Sequence, residues 1–294
     1  MWFTAEVQVP STLPLTRQSV SWRVNAEPVA FLGGGRALLL QVAHPKVAAG
    51  VEQHSTYATD PWGRLFRTVD VMAKLAFASP EVSAAQAKML ERMHRRVTGV
   101  TDDGEGYRAL DPDLLLWVWA TLTDTALLMY ESVRRPLSAD NRARYHEEAK
   151  LVAHACGVPK DVCPPTWDDF TMYFDGVVAR DLHVTAAGRS VAHATMVPPL
   201  PRPLGQVAAG PNQLVTAGFL PPNVRAEFGF EWDHHREREL QRLLRRFALV
   251  YRVAPRAVRE LGLRHVVRRE KPLQFAWLQR RGAELTAHRM SEIA

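Results

Sequence analysis

Thiols are scarce in this chain: Cys156 and Cys163 are the only cysteines among 294 residues. Two cysteines make no disulfide scaffold, and their spacing is neither C-x-x-C nor a repeated zinc pattern. Both are expected as free thiols in a reducing compartment. Long hydrophobic runs are missing as well. The most apolar window, LLLWVWATLTDTALLM (114–129), is broken by Asp124 and three threonines. It falls short of the ~20 apolar residues that a spanning helix needs. The opening MWFTAEVQVPSTLPLTR has no basic segment followed by an apolar stretch, so no secretory signal is expected. A cytoplasmic chain without stable membrane insertion is the resulting expectation. Period-two strand patterns and short hairpin signals are rare. No G-x-S-x-G offers a nucleophile, and HEEAK (146–150) lacks the second histidine of H-E-x-x-H. The glycines 33–35 before Arg36 match no phosphate loop or dinucleotide fingerprint, and read as a turn into a helix.

What is present is an ordinary globular composition, 47% hydrophobic and 23% charged, which argues against extensive disorder. The formal charge of +6 comes mostly from arginine and is spread along the chain. That balance suits anionic ligands without singling one out. Helix punctuation is plentiful. A short helix is expected after His44-Pro45, and another begins near Pro61. Ser79, Pro80 and Glu81 open a helix that Gly99 is expected to end. Asp111-Pro112 opens the next, which stops before Pro136. Ser138 caps one ending at Gly157, and Thr166 caps WDDFTMYFDGVVAR. Residues 197–222, rich in proline and glycine, read as an irregular crossing. A long amphipathic helix spans about 232–250. The expected fold is all-α: an N-terminal arm over 1–20, one multi-helix domain over 21–275 and a C-terminal tail over 276–294.

Three groups of side chains carry possible chemistry. In the helix after Ser79, Ala87, Leu90, His94 and Val97 share one otherwise apolar face, which Ser83 extends. A histidine so placed either packs as a satisfied core residue or ligates a group bound there. The small Ser83, Ala84, Ala85 and Ala87 leave room above that face for a flat, bulky apolar partner. In GRLFRT, Arg64 and Thr68 are four apart on one face, with Arg67 one step round. Such donors could hold a carboxylate or polarise a bound oxygen species, or could be a solvated face with Arg64 paired to Asp60. His44, Glu52 and His54 lie close in sequence, and a mononuclear metal site there stays open.

The ordered motifs GGGRALLLQVAHPKVAAGVEQHS, RLFRT, MHRRVTG and YRALDPDLLLWVWATL resemble the rubber-oxygenase (latex-clearing protein) and MpaB-type superfamily. The likeness continues through HEEAKLVAHACGVPKDVCPPTWDDFTMYF to YRVAPRAVR and spans roughly residues 20–270. It implies an all-α protein with haem b between its helices and His94 as the proximal iron ligand. Arg64 and Thr68 match the family's R-x-x-x-T motif beside the haem. Arg64, Arg67, Thr68, Arg95 and Arg96 are then candidates around the cofactor, with Arg64 first and Arg95 or Arg96 next for the propionates. His44, Glu52 and His54 are candidates for a proton donor or base. Two departures stand out. Where latex-clearing proteins carry a lysine inside R-x-x-x-T, this chain has Arg67, a poor iron ligand because it stays protonated. Trp119 stands where many relatives have a histidine. The implied function is a haem-dependent oxygenase acting with O₂ on an apolar alkene-containing or aromatic small molecule. Two alternatives remain: a non-catalytic haem sensor or carrier, and a haem-free scaffold whose arginines over 236–271 grip an acidic partner. Nucleic acid is not an expected partner, because REREL and RRE interleave glutamates and no recognition motif is present.

Overall fold

The computed structural model describes residues 15–56, 60–196 and 204–269; most of the expected arm and the whole expected tail lie outside them. The chain opens with α1 (Val20–Asn25), α2 (Val29–Leu32), α3 (Gly34–Val42), α4 (Pro45–His54), α5 (Pro61–Phe77) and α6 (Pro80–His94). A hairpin of β1 (Thr98–Val100) and β2 (Gly106–Arg108) follows, then α7 (Pro112–Val133), α8 (Ala139–Ala155), α9 (Trp167–Arg180) and α10 (Ala186–Met196). The last described helices are α11 (Leu204–Phe219), α12 (Pro222–Glu227), α13 (His234–Val253), α14 (Arg256–Arg259) and α15 (Leu261–Arg268). The fold is all-α.

Local chemistry explains most of these boundaries. Ser79 accepts from the Val82 amide and Ser138 from that of Asn141, each satisfying one of the orphan donors of a helix start. Thr166 and Asp169 bond each other's backbone reciprocally, closing a capping box at α9. Gly157, at φ 97°, takes the left-handed conformation that stops the chain after α8. Two expectations need correction. Helix α6 ends at His94, not at Gly99. The chain turns there into an antiparallel hairpin that pairs Gly99 with Tyr107, and Gly104 makes its turn at φ 88°. Three-residue strands are too short to show alternation in sequence. Within 197–222, residues 204–219 form helix α11 although Pro211 lies inside it.

Helix α7 is the central element, and its buried residues run around much of its circumference. Trp117 and Trp119 pack with Leu39 and Leu40 of α3, Ala149 and Ala153 of α8, and Phe170 and Phe174 of α9. Their indole nitrogens donate to the carbonyls of Leu40 and Ala149, at 3.2 and 3.1 Å, so neither ring buries an unpaired donor. Truncating either tryptophan to alanine removes roughly 3–5 kcal/mol of such packing. Arg36 is buried in the same core. It pairs with Asp124 at 2.7 Å and donates to Thr125 Oγ1 and to the Phe219 carbonyl. That arginine ties α3 to α7 and to the end of α11.

Candidate functional site

Helices α3, α5, α7 and α8 do not close on one another completely. They enclose a cavity of about 210 Å³, with α1, α2, Leu15 and Leu263 of α15 completing its wall. Along α5 the wall residues run from Arg64 to Phe77, a span of ~20 Å at the helical rise of 1.5 Å per residue. The site is therefore a slot lying along α5. Small residues make the room: Gly33, Gly34 and Ala37 on one side, Ala73 and Ala76 on the other. A Cβ on Gly34 would stand 3.1 Å from Leu65, and one on Gly33 only 2.5 Å from Thr125. The glycine run that reads as a plain turn thus lets the α2–α3 junction seat against α7 and α5.

The slot's polar groups are few. Tyr145 donates to the Thr123 carbonyl at 2.9 Å and Gln41 to Thr121 Oγ1 at 3.0 Å, so these donors are already used. Arg64 differs. Its guanidinium lines the slot and has no hydrogen-bond or ion-pair partner among the described residues. Desolvation, and then the neighbouring Arg67 charge, push its pKa down from the usual arginine value. Arginine stays protonated even so, leaving a half-buried cation without an anion. Thr68, one turn on, also lines the slot and donates to the Arg64 carbonyl at 3.1 Å.

The other sequence candidates fall elsewhere. Asp60 pairs with Arg67 at 2.8 Å rather than with Arg64, and the second Arg67 amino group reaches Thr56 Oγ1. Arg95 pairs with Glu91 on the exposed face of α6, and Arg96 is exposed. His44 and His54 sit at opposite ends of α4, ~15 Å apart along the axis. His54 Nε2 donates to the Thr98 carbonyl at 3.0 Å, and Glu52 is exposed. None of these three lines the slot, and no group of three metal-binding side chains exists among the described residues. Burial raises the Cys156 and Cys163 thiols to about 12 and about 11, which leaves them protonated and unreactive.

His94 ends α6, the helix packed along α5, and is not itself a wall residue of the slot. Its Nδ1 is buried with no hydrogen-bond partner among the described residues. Two other histidines share that property. His146 has its Nε2 on the Pro164 carbonyl and its ring among Trp119, Trp167 and Phe170, and so is a core residue. His44 feels Asp181, Lys46 and His183. At His94 desolvation alone lowers the pKa, with no charged neighbour to explain the ring. A neutral imidazole with a free ring nitrogen in an apolar setting is the donor that an iron porphyrin requires. Together with an unpaired cation beside an apolar slot, the residues present fit haem.

Sequence reasoning left out several of the wall residues. Asn25, Thr123, Thr125 and Tyr145 line the slot but belong to no motif, and Gln41, inside the glycine-led motif, was given no role. A run of threonines inside an apolar helix, at 121, 123 and 125, is the signal that could have marked them.

Comparison with known proteins agrees with the resemblance. The family model described as "ER-bound oxygenase mpaB/B'/Rubber oxygenase, catalytic domain" matches residues 22–253. An uncharacterised protein of Mycobacterium tuberculosis and another of Mycobacterium bovis are each 29% identical over 226 residues, 74% of this chain and 87% of theirs. Latex clearing protein in its closed state has a similar fold, with TM-score 0.56 and 17% identity over 96% of this chain and 76% of that one. The chain belongs to the MpaB and rubber-oxygenase family, whose catalytic domain it carries over residues 22–253.

Proposed function

We propose that this chain is a haem b-dependent oxygenase that acts with O₂ on an apolar, alkene-containing or aromatic small molecule. The observation that carries the reading is the slot along α5, apolar on most of its wall and bearing one unpartnered cation, Arg64. His94 would hold the iron through its free ring nitrogen. Arg64 would face an anionic arm, a propionate or a carboxylate on the substrate, and Thr68 stands beside it. When bound, haem supplies the activation of oxygen that no side chain here can supply.

The remaining work falls to the chain's own residues. Ala73, Ala76, Phe77, Ala149 and Val152 exclude water and orient a hydrocarbon along the slot. Trp119, fixed by its bond to the Ala149 carbonyl, forms a rigid part of the same wall. Arg67 is held by Asp60 and stays protonated, so it is no iron ligand. His44, Glu52 and His54 lie off the slot, so no proton step is assigned to them.

Two readouts test the proposal together. Chain expressed with ample haem is expected to be red-brown with a Soret band; colourless protein overturns the reading. Oxygen uptake with an apolar alkene under reducing conditions then separates an oxygenase from a haem protein without turnover. A loaded chain that consumes no oxygen with any apolar alkene or arene tried contradicts the enzymatic half.

A further inference from the structure

The outer face of α13 and the corner after it are unlike the rest of the surface. From Arg242 to Arg269 the sequence carries nine arginines against one acidic residue, Glu260, and Glu260 is buried. The glutamates that interleave with arginine flank this stretch in sequence: Glu237 and Glu239 before it, at the start of α13, and Glu270 after it. Arg242, Arg245, Arg246 and Arg252 are exposed and have no ion-pair partner among the described residues. At 100° per residue they share one side of α13 with Leu249, Val250 and Val253, while Leu240, Leu244 and Tyr251 point into the core. Those aliphatic side chains are exposed, Val253 to 80%, and beyond Pro255 so are Val258 and Leu261.

Exposed aliphatics and unpaired arginines on one surface ask for a partner with both an apolar layer and negative charge. A phosphate backbone answers the arginines but gives the aliphatics nothing. An acidic protein face would need an apolar patch of its own shaped to this corner, which nothing in the chain specifies. A bilayer with anionic headgroups answers both: arginines at headgroup level, aliphatics reaching the acyl boundary. We propose that the α13–α14 corner is a docking surface for an anionic lipid bilayer, held peripherally; no described helix is long and apolar enough to cross one. The chain continues from this surface into the slot, because Leu261 faces out and Leu263, two residues on, lines the cavity. A docked chain would hold the apolar end of the slot beside the acyl layer. That consequence rests on the function proposed above; the docking itself does not.

Cosedimentation of the full chain with vesicles of phosphatidylcholine, alone or mixed with phosphatidylglycerol, tests the proposal. Pelleting with the mixed vesicles and not with the neutral ones is expected. Val253→Glu should cut it at least tenfold, and Arg245→Gln and Arg246→Gln about fivefold each. Circular dichroism checks that each variant keeps its helices, and Leu249→Glu is the substitute should Val253→Glu disturb them. Failure to pellet with phosphatidylglycerol vesicles overturns the proposal. So does binding that Val253→Glu leaves intact while duplex DNA competes it away, since that marks a plain polyanion surface. A concentration-dependent dimer abolished by Val253→Glu would assign the face to a second copy instead.

Discussion

Arg64 is a cation in the slot wall that the described residues leave without an anion. An uncompensated cation in the wall of an apolar slot weakens the folded state, and such strain persists where a ligand answers it. Arg64→Met should therefore leave the thermal midpoint of the haem-free protein unchanged or raise it, by about 0.5–1 kcal/mol of stability, while weakening retention of an anionic ligand. A clear fall in stability would show that Arg64 has a structural partner. The buried histidines make a second prediction. Desolvation lowers His44, His94 and His146 below the ordinary 6.5. On acidification the unfolded chain then takes up protons first. Stability is full above about pH 6.5, falls as pH drops through the unfolded value, and flattens below the folded pKa values. Urea titrations from pH 7.5 to 5 check the sign; stability that rises toward pH 5 would contradict it. His94 shows how far sequence alone reaches: helical spacing puts it on an apolar face, but the orphaned Nδ1 and missing charged neighbour that set it apart from His146 are visible only in three dimensions.

Among the elements, α15 shows how the slot is closed at its far end. Leu263 and Val266 are buried with Ala73, Ala76 and Phe77 of α5. The carboxylate that starts α15, Glu260, receives Arg17, Arg256 and Arg264. Burial alone would raise its pKa, but hydrogen bonds from Arg264, Arg256 and Arg17 bring it down to about 2. Its contribution is present above the ordinary 4.5 and is lost as pH falls toward 2. Glu260→Gln should cost about 1–2 kcal/mol at neutral pH, read as a lower denaturation midpoint. That is less than the loss of a fully buried pair, because Arg17 and Arg256 are more than half exposed, at 56% and 58%. A wild-type midpoint in the variant would show that these ion pairs do not hold the helix. Helix starts were legible at Ser79, Ser138 and Thr166, where a side chain caps them, but the Ser19 cap of α1 was not read. The hairpin after His94 and the helix around Pro211 were not, because pairing and packing rather than local pattern make them.

For the molecule as a whole, the all-α architecture could be read from punctuation and periodicity. The family emerged from the order of modest motifs, which a family model over residues 22–253 bears out. The slot could not be read in the same way. Among the described residues it is bounded by pieces of seven helices and Leu15, and about half of its wall is ordinary alanine, leucine and threonine. What unites them is geometry that no window of sequence contains. The central claim is that this geometry, with His94 at the end of α6, serves a haem. Titration of haem into the purified chain, followed in the Soret region, tests that claim most directly. The wild type is expected to saturate at one haem per chain, His44→Ala to match it, and His94→Ala to lose the band or shift it. A His94→Ala titration indistinguishable from the wild type, or a wild-type chain that takes up no haem, would contradict it.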